Sequence, residues 1–139
     1  MTFVSLTRLR IRSIRFLPVF TIYTLRSIRQ VKKAPGFQAG RLLPDRSWAF
    51  WTMTAWDEQD SMRRFMTKGD HKRAMPHLMH WGDEASVAHW EQEESALPSW
   101  EEADRRMRES GRALKVNHPS PEHASLNYRK PRKFGGASI

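Results

Sequence analysis

Hydrophobic and polar positions alternate from the start of the chain. Leu9 and Ile11 interleave with Arg8, Arg10 and Arg12, and Phe3, Ser5 and Thr7 extend the same set backward. This two-residue period predicts a half-buried strand. A turn follows over Ser13 to Pro18, where a proline early in a helix forfeits no bonded N–H. Beyond it, Leu17, Phe20, Thr24, Leu25, Ile28 and Val31 fall on one side of a 3.6-residue wheel and Arg26, Arg29 and Lys33 on the other, predicting a helix to about Lys33 that packs by one face. Ala34-Pro35-Gly36 ends it, and Phe37 to Leu43 predicts a short strand.

Pro44-Asp45-Arg46-Ser47 is a turn sequence, and Trp48 to Trp56 is rich in the aromatic and threonine residues of strands. Bulky groups on both of its faces, Trp48, Phe50 and Trp56 against Trp51 and Met53, predict a place inside the sheet. Asp57 is placed to cap a helix with Met62, Phe65 and Met66 inward, broken by Gly69. A second helical piece over 70–81, bent or restarted at Pro76, closes at Gly82. Ala85 to Glu91 predicts a further strand with Val87 and His89 on one face and Ala88 and Trp90 on the other. After Pro98, Ser99 caps a helix whose inward line is Trp100, Ala103 and Met107. The order predicts an α+β fold, a ferredoxin-like split βαβ arrangement whose antiparallel sheet is covered by helices on one face. The other face needs cover, and a second copy of the same sheet supplies it most simply, giving a homodimer.

The 139 residues suffice for one domain, placed over 1–116. Residues 117–139, with three prolines, Gly135-Gly136, scattered bases and few large apolar groups (Leu126, Tyr128, Phe134, Ile139), read as a basic C-terminal arm that adds little to the core. Charge is uneven: residues 1–44 carry nine Lys or Arg and no acid, 45–114 ten bases and fourteen acids, and 115–139 five bases and one acid. The net charge of +9 therefore belongs to the ends. No stacking aromatics or recognition helix share a basic face, which points away from nucleic acid. The arginine-rich start also describes a transit peptide, but its strand period is not that of a targeting helix. Phe16 to Leu25 falls short of the about 20 residues of a bilayer span. These features predict a cytoplasmic chain without a membrane span. The absence of cysteine excludes disulfides, thiolate zinc sites, iron–sulfur clusters and Cys nucleophiles. No GxSxG, Walker or HExxH sequence is present, so hydrolase, nucleotide-motor and zincin chemistry lose support.

Histidines gather at His71, His77, His80 and His89. His77 and His80 share a helix face, and the Pro76 bend brings His71 near them. One of them is a candidate acid/base or iron ligand, against the plainer reading of a partly exposed helix that carries a few histidines. No carboxylate stands at matching spacing, so no metal site is assigned. Trp56, Phe65, Met75, Phe50 and Met53 belong either to ordinary core or to a pocket for a flat or long hydrophobic ligand, with Thr52 or Thr54 as its polar groups.

The blocks Gly40-Arg41-Leu42-Leu43-Pro44-Asp45, Phe50-Trp51-Thr52-Met53-Thr54-Ala55-Trp56, Met62-Arg63-Arg64-Phe65-Met66, His71-Lys72-Arg73-Ala74-Met75-Pro76 and Ser86-Val87-Ala88-His89-Trp90 carry a resemblance. Over about residues 2–95 the chain resembles the antibiotic-biosynthesis-monooxygenase-like superfamily of dimeric α/β-barrel proteins, in a branch similar to spheroidene monooxygenase, a carotenoid-oxidising enzyme. The resemblance implies a homodimer of face-to-face sheets with a small-molecule cavity between sheet and helices. Activities on this fold include cofactor-free oxidation of quinone-type aromatics, haem degradation and haem-based peroxide chemistry, so the fold selects none of them and the cofactor stays open between none and haem. The haem-degrading branch uses an asparagine on the first strand, a tryptophan on the helix after Trp56 and a histidine on the short helix. Here the first strand has no asparagine, Phe65 stands near the tryptophan position, and only His71 or His77 supplies the histidine.

The reading that follows is an oxygenase-like enzyme acting on a hydrophobic aromatic or isoprenoid molecule. Trp56, Phe65, Met75, Phe50 and Thr54 line the cavity and His71 or His77 acts in it. His71 is favoured because it opens the short helix after Gly69. The alternative is a non-catalytic dimeric protein that binds a small molecule or haem in the same cavity.

Overall fold

The computed structural model describes residues 1–133 and 135–139; Phe134 of the arm lies outside the described residues. In chain order the elements are β1 (Thr2–Ile11), α1 (Leu17–Lys32), β2 (Phe37–Pro44), β3 (Ala49–Trp56), α2 (Gln59–Met66), α3 (Gly69–Trp81), β4 (Gly82–Gln92), α4 (Trp100–Ser110), β5 (Arg112–Ala113) and β6 (Ala137–Ser138). The strands form one antiparallel sheet in the order β5-β4-β1-β3-β2-β6. Its inner strands, with α1 and the α2–α3 pair as crossovers, make the ferredoxin-like split βαβ arrangement that the pattern predicts. Among the described residues no helix is long and apolar enough to cross a membrane.

Local chemistry explains most boundaries. Gly36 ends the α1 segment at a φ of 87°, and a Cβ there would run into Asp57 and Ser61. Ser99 accepts from the Glu102 N–H at 3.2 Å and caps α4. Three expectations change. Glu58, not Asp57, is the N-cap of α2, without a side-chain bond. The helix α3 runs unbroken through Pro76, because burial of Ala74 and Trp81 outweighs the one backbone bond a proline removes. Trp48 is exposed in a tight turn with Ser47, both at positive φ, ahead of β3.

Register assigns the two faces. Phe3 pairs with Trp56 and Glu91, Ser5 with Thr54 and His89, Thr7 with Thr52 and Val87, and Leu9 with Phe50 and Ala85. These rows face α1, α2 and α3. At one end Phe3, Val31, Trp56 and Met62 are buried together, and at the other Ile11, Phe20 and Trp81, with Phe50 packed on them. Leu25, assigned inward by the wheel, is 62% exposed, since α1 buries the side that carries Phe20 and Val31. On the opposite face Val4 and Leu6 meet Leu43, Trp51, Met53, Ala88 and Trp90.

That opposite face is not open. Helix α4 lays Trp100, Ala103 and Met107 on it, and the segment beyond adds Tyr128. Helices therefore cover both faces, and the arm contributes to the core. The physical reason is that the apolar line of α4 leaves water by packing on Trp51, Met53 and Trp90.

Charged groups fasten this closure. Arg8 is buried; its guanidinium donates to Glu84 on β4 at 2.7 Å, and the Ser120 hydroxyl donates to the other Glu84 oxygen at 2.7 Å. The Arg8 guanidinium also lies 4.5 Å from the centroid of the Tyr128 ring, with that of Arg108 at 4.2 Å. The Tyr128 hydroxyl donates to Asp104 at 2.7 Å, and Arg108 donates to the same carboxylate at 2.9 Å. Burial, then the Asp104 carboxylate, raises the Tyr128 pKa and keeps the phenol a donor. Burial opposes the Glu84 charge, but the bonds from Ser120 and Arg8 and the charges of Arg8 and Arg10 outweigh it and hold its carboxyl below the ordinary value.

Tyr128→Ala is expected to cost about 3–5 kcal/mol in urea unfolding, because it opens a cavity and strips Asp104 and Arg8 of a partner. The exposed Lys130→Ala should change stability by less than about 0.5 kcal/mol. Equal effects of the two substitutions would contradict a structural role for the arm.

Candidate functional site

The structure brings Thr54, Trp56, Phe65 and His71 together. Trp56 is fully buried; its Nε1 donates to Thr54 Oγ1 at 2.9 Å, its ring stands 5.5 Å from Phe65, and Phe65 stands 4.8 Å from His71. His71 is held from two sides. Its backbone N–H donates to Gln30 Oε1 of α1 at 2.9 Å, and its Nδ1 lies 3.2 Å from the Met66 carbonyl. Gln30 Nε2 also donates to the Lys68 carbonyl at 2.8 Å, so α1 clamps the start of α3.

The other expected residues stand apart. Phe50, six residues along β3 and hence about 20 Å from Trp56, packs at 4.8 Å on Phe20. His77 is exposed, its ring stacked on Trp81 at 5.3 Å. Met75 is half-buried on α3, outside the Trp56 cluster.

Between the two apolar ends lies a polar band that the sequence reading did not assemble. His89, Ser5 and Thr54 form one cross-strand row, and Thr7 and Thr52 sit in the next. Thr7, Thr52, Thr54 and His89 remain half-buried although β1, β3 and β4 are inner strands. The helices thus seal the ends of this face and leave its middle partly accessible. The His89 ring is 5.3 Å from Phe3, and its Nε2, like a few other buried polar atoms, has no hydrogen-bond partner among the described residues. A run of rings, His89, Phe3, Trp56, Phe65 and His71, lies along this end of the sheet face. The signal that finds His89 is register: only the pairing of β4 with β1 sets it opposite Ser5.

Both histidines are poised as neutral rings. Desolvation lowers the His71 pKa below the ordinary 6.5, opposed by the Met66 carbonyl. Desolvation first, then repulsion from Arg112 and Arg63, lowers that of His89. A neutral imidazole beside aromatic walls is a proton acceptor. The residues do not fit a haem: His77 lies against Trp81 toward solvent, and Phe65 packs on His71. A cavity of about 280 Å³ opens on the opposite face, lined by Arg8, Arg10, Arg46, Glu84 and Tyr128 among others, and it reaches neither His71 nor His77.

The pKa directions set a pH dependence. The unfolded chain takes up protons at these rings near pH 6.5, whereas the folded chain resists until a lower pH. Their stabilising contribution is therefore present above pH 6.5 and is lost as pH falls through the lowered folded values. The thermal midpoint is expected to drop between pH 7 and 5, and His71→Asn or His89→Asn should each flatten that drop. A slope unchanged in both variants would contradict neutral burial.

Comparison with known proteins agrees with this architecture. The chain is similar in structure to a mutant form of SnoaB of Streptomyces nogalater, a cofactor-independent oxygenase, with a TM-score of 0.57 and 16% identity over 70% of this chain and 97% of that one. An antibiotic biosynthesis monooxygenase gives 0.58 and 14% over 70% and 100%. Rv0793 of Mycobacterium tuberculosis gives 0.62 and 7% over 70% and 100%. At these identities the likeness is one of fold, antibiotic-biosynthesis-monooxygenase-like. No curated protein matches the chain. The family model for the domain of unknown function DUF3291 matches residues 27–133, from within α1 through the segment that carries Tyr128, and the chain belongs to that family.

Proposed function

We propose that the chain is an oxygenase-like enzyme acting on a hydrophobic aromatic or isoprenoid molecule seated over the polar band, between the sheet and α1–α3. The observation that carries the reading is the buried, unpartnered Nε2 of His89 beside Phe3. An unmade hydrogen bond of this kind costs about 1–3 kcal/mol, and a substrate O–H recovers it. Trp56 and Phe65 wall the ligand, Ser5, Thr52 and Thr54 orient its polar group, and His89 or His71 accepts its proton. Phe50, packed on Phe20 at the other end of the sheet face, and Met75 of α3 lie outside this wall, as does His77.

Removal of a proton from a phenol, an enol or a methylene flanked by aromatic rings leaves an electron-rich carbanion. Dioxygen takes one electron from it and the resulting radicals join at the carbon; the peroxide anion takes back the proton held by the histidine, and loss of water from the hydroperoxide turns the methylene into a carbonyl. One oxygen atom stays in the product and the other leaves as water, so the substrate supplies every electron. The description of SnoaB as a cofactor-independent oxygenase supports a route of this class; an isoprenoid remains the alternative substrate on the sequence resemblance alone. The face that the sequence pattern left open is filled by α4 and Tyr128, so a homodimer would pair through another surface. All residues of the proposed site come from one chain.

With an anthrone as the probe, His89→Ala is expected to lower kcat/KM for dioxygen uptake by about 10²-fold or more, while His77→Ala changes it less than about twofold. Full uptake by His89→Ala would overturn the assignment. Anthrone binding without any uptake would leave the alternative, a small-molecule-binding protein.

A further inference from the structure

We propose that the outward side of α1 is a docking surface for membranes that contain anionic phospholipid. Helix α1 packs on the sheet and on α3 through Phe20, Tyr23, Gln30 and Val31, and its other side is bare. Ile14, Val19, Ile22 and Leu25 are 63%, 36%, 50% and 62% exposed there. Arg15, Arg26, Arg29, Lys32 and Lys33 are exposed on the same segment. None of these cations has a carboxylate partner among the described residues, and residues 1–44 contain no acid at all.

Aliphatic groups and cations recur here at three- and four-residue spacing. Val19, Ile22, Leu25, Arg26 and Arg29 lie along about 15 Å of one helix side. Such a side fits the boundary between headgroups and acyl chains: the aliphatic groups enter the apolar edge while the guanidinium groups meet phosphates. A second copy fits poorly, because an isologous contact would set the same arginines against each other with no carboxylate between them. A nucleic acid would satisfy the cations but not the aliphatic groups, and among the described residues no exposed aromatic ring on this side offers a base a stacking surface. Charge and apolarity together therefore select an anionic lipid surface. Docking there is independent of whether the cleft is catalytic.

The test is sedimentation of the full chain with vesicles of phosphatidylcholine containing roughly one-third phosphatidylglycerol, and with pure phosphatidylcholine vesicles. Binding is expected to the first and not to the second. The pair Arg26→Gln and Arg29→Gln together should weaken it about 30-fold, and the pair Ile22→Ser and Leu25→Ser by roughly tenfold or more. Because all four side chains are exposed, circular dichroism and the thermal midpoint should not move. Failure to sediment with the anionic vesicles would overturn the proposal, as would equal binding to both compositions. Binding by the Ile22→Ser, Leu25→Ser variant equal to that of the unsubstituted chain would also overturn it, leaving an electrostatic surface of the kind nucleic acid uses.

Discussion

A guanidinium buried in the middle of a sheet must be paired, and Arg8 is paired across three parts of the chain. It bonds Glu84 on the neighbouring strand, shares that carboxylate with Ser120, and lies over the ring of Tyr128, which is itself bonded to Asp104 of α4. Removing any one of these partners leaves a buried charge or donor uncompensated, which is far more costly than the pair is stabilising. The network therefore specifies where the C-terminal segment lies as much as it adds stability. With Tyr128 in place, α4 and the arm complete the apolar layer over Trp51, Met53 and Trp90.

That closure divides the labour of the sheet. One face is covered by the chain's own α4 and arm and carries the Arg8–Glu84 and Tyr128–Asp104 pairs beside a cavity of about 280 Å³. The other is packed at its two ends, by the Trp56 and Phe20 clusters, and keeps a band of hydroxyls and His89 between them. A polar row on inner strands, left partly accessible beneath helices, is poor design for stability alone, and residues of this kind collect at functional sites. The clamp from Gln30 of α1 to the start of α3 then fixes His71 at the Trp56 end of that face.

Much of the fold is legible because each element carries its own periodic pattern. The alternation of β1, the aromatic density of β3, the Ser99 cap and the Trp100, Ala103, Met107 line of α4 are local signals, and local signals suffice for element type. Which face α4 covers is not local: its stripe is equally apolar on either side of the sheet, and the deciding contacts, Tyr128 with Arg8 and Asp104, join distant residues through a tail that looks like loop. The proposed site is legible to the same degree. Trp56, Phe65 and His71 lie close in sequence and meet through successive elements, whereas His89 enters only through a pairing of β4 with β1, and His77 is drawn to Trp81 by stacking one helical turn away.

The self-sufficiency of the fold is tested most directly by the concentration dependence of unfolding. If α4 and the arm close the sheet of their own chain, the urea midpoint of the full protein stays constant over a roughly hundredfold range of concentration, with light scattering at the 16.4 kDa mass of one chain. A midpoint that climbs with concentration, together with twice that mass, would show that a second copy completes the sheet and would contradict the account.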